Sequence, residues 1–139
     1  FHFCKLACYH LLIYYVVRIY NVSSVDFTLE LLLELDGDIY YYPSGHWHKI
    51  EIRRVSIDRN FPQGIKYYLT LHRASGERIL GYDNAHLVPG DRYDSPFDHI
   101  HKRTRIKNYN YQNAEQLLND FFIDVKFMLE LEREYAHEI

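Results

Sequence analysis

Over His46 to Ile57 and again over Ile65 to Arg73 apolar and polar side chains alternate, and that period of two commits this part of the chain to a sheet. His48, Ile50 and Ile52 fall on one side of an extended backbone, with Trp47, Lys49, Glu51 and Arg53 on the other. The stretch DRNFPQG (58–64) is a loop by its Pro and Gly, after which Ile65, Tyr67, Leu69 and Leu71 restore the alternation. A short connection, Ala74 to Gly76, makes Arg78 to Asn84 the return strand of a hairpin. Upstream, Phe27, Leu29, Leu31, Leu33 and Leu35 alternate with Asp26, Thr28, Glu30 and Glu34, and read as a further half-buried strand. Leu32 breaks the polar side of that pattern and keeps a helical reading open. Asp36-Gly37 marks a turn, and Tyr40 to Gly45 reads as an exposed loop or hairpin tip.

The C-terminal part follows a different period. Leu117, Leu118, Phe121, Phe122, Val125, Met128 and Leu129 recur at steps of three and four, the apolar stripe of an amphipathic helix. Asn113 and Gln116 have the N-cap and N3 spacing of a helix start. A sheet face needs a covering layer, so the expected fold class is α+β: an antiparallel β-sheet meander covered by one long C-terminal helix. With 139 residues there is room for one such domain, expected over 23–139, preceded by an N-terminal extension over 1–22.

That extension holds the most apolar run, Leu6 to Val17, which is 12 residues without Lys, Arg, Asp or Glu. A membrane-spanning helix needs about 18 to 20 residues, and a secretory signal needs a charged start and a small-residue cleavage site. Neither is met, so no membrane role is expected; the segment reads as an upstream extension, with a start near Val16 or Val17, or as an element packed on the core. Cys4 and Cys8 are the only two cysteines. They form neither a disulfide framework nor a four-thiolate zinc site, and a reducing cytoplasm is the expected compartment.

Charge is sorted along the chain. The net charge of −3 excludes a uniformly basic nucleic-acid binder. Residues 46–107 nevertheless carry 12 Lys and Arg against seven Asp and Glu, while residues 108–139 carry two against seven. Lys102, Arg103, Arg105 and Lys107 fall within six residues and are the candidate nucleic-acid contacts. An edge strand kept from self-pairing has the same look.

Three groups can carry chemistry. Asp83, Asn84 and His86 stand where a strand opens into a long irregular segment, which suits proton transfer or simple turn formation. In Asp98-His-Ile-His-Lys102 an extended backbone puts His99 and His101 on one side, their Cβ atoms about 7 Å apart. Two such imidazoles form an acid–base pair for phosphodiester cleavage, with His99, His101, Asp83 and His86 as catalytic candidates. Alternatively they ligate a divalent metal with Asp83 or His86 as third ligand; otherwise no cofactor is expected. His46 and His48 share a face opposite Trp47 and Lys49, where Trp47 either stacks on a base or packs the hairpin. Phosphate-binding Gly loops, the G-x-S-x-G elbow and H-E-x-x-H do not occur.

Several ordered blocks resemble the TumE-like toxins of prokaryotic toxin–antitoxin systems. They are Gly45 to Glu51 (GHWHKIE), Pro62 to His72 (PQGIKYYLTLH), Gly76 to His86 (GERILGYDNAH), Asp98 to Lys102 (DHIHK), Tyr109 to Tyr111 and Ala114 to Phe121. The resemblance runs over about residues 25 to 130; residues 1–20 match nothing in it, and Asp38 to Ser44 is longer than the family's usual turn. It implies a cytoplasmic toxin held by a cognate antitoxin, usually a DNA-binding protein encoded beside it, with the Tyr-Asp-Asn-Ala-His and Asp-His-x-His-Lys blocks as site candidates. It brings no settled mechanism. The expected function is therefore a toxin acting on RNA through a His/Asp site with basic phosphate contacts. The alternatives are a non-catalytic partner-binding module and a metal-dependent phosphoesterase, and self-association as a homodimer is left open.

Overall fold

The computed structural model describes residues 24–85 and 98–137. Helix α1 (Ser24–Glu34) leads into strands β1 (Ile39–Tyr41), β2 (Trp47–Arg54), β3 (Ile65–His72), β4 (Arg78–Asp83), β5 (His99–Lys102) and β6 (Arg105–Asn108), and helix α2 (Ala114–His137) follows. The six strands form one sheet in chain order, each antiparallel to the next. The expected α+β meander under a long C-terminal helix is therefore what the chain adopts. The boundary drawn at residues 22 and 23 and the apolar run before it lie outside the described residues.

Two elements differ from the sequence reading. Val25 to Leu35 is helix rather than strand, because the buried positions are Thr28, Leu31, Leu32 and Leu35, spaced three and four apart. Leu32, the residue that spoiled the alternation, is wholly buried, while Leu29 and Leu33 only flank the core. Tyr40 and Tyr41 are strand, pairing with His48 and Trp47, and the hairpin tip narrows to residues 42–46. The basic run near residue 105 folds as a hairpin in its own right, turning at Arg103-Thr104 with Arg103 at φ 52°. A non-glycine residue rarely adopts that backbone, which is strained.

The core lies between the sheet and both helices. Ile50, Ile52, Tyr67, Leu69, Leu71, Leu80, Tyr82 and Ile100 point inward and meet Leu117, Phe121, Val125 and Met128 of α2. The inward parity of β2 and β3 is the one their alternation indicated. α2 begins as its cap residues dictate: Gln116 N–H donates to Asn113 Oδ1 at 2.8 Å and Leu117 N–H to the Asn113 carbonyl at 3.0 Å. The Gln116 amide reaches forward to Asp120 at 2.7 Å rather than back to the cap, so only half of a capping box forms.

His48 is part of this core. It is 1% exposed, stacks on Tyr40 and lies edge-on to Phe121 and Phe122, with its Nδ1 held by the Tyr42 hydroxyl at 2.7 Å. Burial disfavours the imidazolium and lowers its pKa from 6.5 to about 4. The unfolded chain thus takes up a proton that the folded one refuses between those values, and stability falls as pH drops through that window. We expect urea unfolding to show this slope, up to about 1.4 kcal/mol per pH unit for one proton, and His48→Phe to reduce it.

Candidate functional site

The antiparallel register of β4 and β5 builds the site. Asp83 stands directly opposite His99, and Gly81 directly opposite His101. Partners across a ladder point to the same face, and so do residues two apart along a strand. Asp83, His99 and His101 accordingly gather on the sheet face turned away from both helices. His99 Nε2 lies 3.1 Å from Asp83 Oδ1, and His101 Nε2 lies 3.5 Å from Asp83 Oδ2. The two rings meet edge to face with centroids 4.7 Å apart. Asp83 is inaccessible and His99 is 1% exposed, whereas the His101 side chain keeps 11% of its surface, so His101 is the more accessible imidazole.

The three ligand-type atoms lie within 4.8 Å of one another. Such a set can hold a proton shared between carboxylate and imidazole, or a divalent ion. Asn84 next door serves structure: its Oδ1 accepts from the Tyr67 N–H at 2.9 Å and its amide donates to the Ile65 carbonyl at 2.9 Å. Asp98 is likewise occupied, accepting from the Tyr67 hydroxyl at 2.6 Å and Gln63 at 3.3 Å, while burial pushes its carboxyl above the usual range. His86 lies outside the described residues.

The cations stand elsewhere than the sequence suggested. Arg105 and Lys107 sit opposite Lys102 and Ile100 in the β5–β6 ladder, and so share the helix-side face, away from the His pair. Lys102 Nζ pairs with Asp124 at 2.7 Å, and Arg103 pairs with Glu132 at 2.8 Å. Glu132 also takes Arg73 at 2.8 Å, with His46 at 3.6 Å, and the two guanidiniums hold its carboxyl down at about 2. Two of the four expected phosphate contacts therefore tie the basic sheet to the acidic helix. Arg105 and Lys107 remain exposed along the edge strand β6, Lys107 beside an open groove of about 300 Å³ with Tyr82, Asp120 and Asp124.

Among the described residues, the cation beside the strand position opposite His101 is Arg78, which spacing alone did not single out. A register shift at Leu71/His72 sets Arg78 opposite His72, on the face that carries Asp83. Its side chain lies across Gly81, where a Cβ would stand 3.3 Å from Arg78 Cδ and 3.4 Å from Nη1. It also donates to the Tyr68 hydroxyl and sits 5.7 Å above that ring. Gly81 is the available signal: a strand glycine often marks a close approach. The same face carries Lys49, Arg53 and Lys66, and Trp47 stacks flat on His72 at 4.0 Å and 8°. Trp47 thus packs along the sheet, as its hairpin reading anticipated, and His46 and His48 share a strand side but play different parts.

One protein-family model, described as Toxin TumE, matches residues 15–129, more than half of the chain. The match agrees with the resemblance carried by the ordered blocks and begins upstream of the residue-25 limit expected for it. No curated protein and no solved structure matches the chain.

The ion pairs sort the four cations of the β5–β6 hairpin by consequence. Lys102→Ala and Arg103→Ala should each lower stability by up to about 1 kcal/mol, while Arg105→Ala and Lys107→Ala leave it unchanged. The Arg103 effect should fade on acidification, because the contribution of Glu132 is present above its ordinary pKa of 4.5 and is lost as pH falls through about 2. Thermal unfolding of the four variants at neutral pH, with Arg103→Ala repeated near pH 3, checks both statements.

Proposed function

The chain belongs to the Toxin TumE family, the toxin side of a toxin–antitoxin pair, and we propose that it arrests growth by cutting RNA at Asp83, His99 and His101. The observation that carries this reading is the convergence of a buried carboxylate and two imidazoles on a face that also bears Arg78. Scission of a phosphodiester requires a group that takes the proton of the attacking oxygen and a cation that offsets charge growing on the phosphate oxygens. His101 supplies the first, taking the proton of the attacking oxygen and then giving it to the leaving oxygen as the P–O bond breaks, with Asp83 3.5 Å from its ring. Arg78 supplies the second, its planar fork suited to two phosphate oxygens. Arg53 and Lys66 extend the cationic track along the same face, where Lys49 is paired with Glu51 at 2.8 Å, and Tyr68 offers a ring for a base. The role first given to Lys102, Arg103, Arg105 and Lys107 passes in this reading to Arg78 and its neighbours.

The partner of such a toxin is an antitoxin. By this reading it is a DNA-binding protein made beside the toxin in the cytoplasm. No helix among the described residues is long and apolar enough to cross a membrane. A second reading, a toxin that acts by docking alone, draws on α2: Ile123 is 66% exposed and Phe127 56%, one turn apart on the outer side of the helix.

Growth arrest by variants separates the two. His101→Ala and Asp83→Asn should relieve toxicity and lower cleavage of single-stranded RNA by about a hundredfold or more, with circular dichroism unchanged. Arg78→Ala should weaken RNA binding and flatten its salt dependence, whereas Arg105→Ala with Lys107→Ala should not. Toxicity that survives loss of the His pair but fails in Ile123→Ser with Phe127→Ser would establish the docking reading instead.

A further inference from the structure

We infer that Asp83, His99 and His101 form a binding site for one divalent first-row transition ion. The inference deepens the functional reading above for the use made of the ion, while the binding itself stands on geometry alone.

The first argument is distance. Bonds of about 2.0–2.2 Å from a zinc-like ion to imidazole nitrogen and carboxylate oxygen place neighbouring ligand atoms about 3.0–3.5 Å apart. The two Nε2-to-carboxylate separations are 3.1 and 3.5 Å, and the whole set fits within 4.8 Å. The two imidazole-to-carboxylate separations already match that spacing, and side-chain rotation that closes the widest separation by up to about 1.3 Å brings the donors around a single centre.

The second argument is donor type. Two imidazoles and one carboxylate suit zinc, manganese, iron or cobalt, and are poorly matched to calcium or magnesium, which prefer oxygen throughout. Three protein ligands also leave a coordination position for water or a phosphate oxygen, the pattern of catalytic rather than structural sites.

The third argument is rigidity. All three ligands stand on paired strands, two residues apart or directly opposite, so the ladder fixes their spacing before any ion arrives. Both imidazoles bring Nε2 within 3.1 and 3.5 Å of the same carboxylate. A site built this way binds without the ordering cost that a loop-borne site has to overcome. Were the ion used in cleavage, it would acidify a bound water as the source of the attacking oxygen and would replace His101 as the group that activates that oxygen, because a nitrogen bound to the ion cannot also accept a proton.

The test uses the full chain, stripped of metal by chelator and dialysed. Cobalt(II) should bind at one equivalent, giving the visible absorption of a low-symmetry nitrogen and oxygen site, and zinc should displace it. Zinc should also raise the melting temperature. His101→Ala and His99→Ala should each weaken binding by about tenfold or more, and His46→Ala should not. If either site variant fails to fold, zinc-dependent shifts of the wild-type His99 and His101 ring nitrogens in nuclear magnetic resonance spectra decide the question. Absence of stoichiometric binding by folded wild-type protein, or binding untouched by loss of both imidazoles, overturns the inference. Ion binding without RNA cleavage overturns the RNA reading and leaves the site standing. Cleavage by metal-free protein that binds no cobalt does the reverse.

Discussion

Burial of one face of the sheet under two helices fixes the parity of every strand, and the placement of the polar side chains follows from it. Once Ile50, Leu69, Tyr82 and Ile100 are committed to the core, the residues between them have no choice of side. A slip of one residue in β5 would expose Ile100 and drive His99 and His101 into the apolar layer. The hydrophobic effect thus brings Asp83, His99 and His101 together without acting on any of them directly. The same parity sends Arg105 and Lys107 to the far side, however close they stand to the His pair in the chain.

Electrostatics then ties the layers to each other. The sheet segment carries the cations and α2 the carboxylates, and Glu132 with Asp124 gathers His46, Arg73, Lys102 and Arg103 at the seam. Single pairs at a surface contribute little, but Glu132 is only 12% exposed and accepts from two guanidiniums at once. The arrangement pins the tight Arg103 turn, whose backbone is strained, to the last third of the helix. That turn ends β5, so an ion-pair cluster on one face also holds the strand that carries the imidazoles on the other.

Much of this was legible in the residues. The period of two in β2 and β3, the Gly-bearing turns and the Asn113 cap each encode local geometry, and each agrees with the structure. Ser24–Glu34 was misread because five leucines in a short span satisfy both periods, and only tertiary burial of Leu32 decides between them. The His99 and His101 pairing was readable, since it needs nothing beyond an extended backbone. Their junction with Asp83 was foreseeable only as chemistry, because it depends on a register between strands separated by a long connection. Arg78 escaped notice for the same reason: its place depends on a bulge at Leu71/His72 and on the missing side chain at Gly81. Charge density along a chain carries no face label, so the run at residues 102–107 did not reveal that Arg105 and Lys107 stand on the side away from the His pair.

A carboxylate wholly removed from solvent makes the strongest demand on its surroundings. Moving Asp83 out of water as an anion costs several kcal/mol unless positive charge or donors replace the lost hydration. Two imidazoles meet that demand in a graded way. Each brings a ring nitrogen close to the carboxylate, at 3.1 and 3.5 Å. An ion meets it more fully, because the carboxylate then neutralises part of a double charge and both nitrogens supply lone pairs instead of protons. The three residues are ordered by exposure: Asp83 is sealed, His99 is nearly so, and His101 keeps the most surface, all on the sheet face away from the helices. That gradient from sealed to reachable is what the functional proposal uses, since a perturbed carboxylate–imidazole cluster serves chemistry only where one member can be reached.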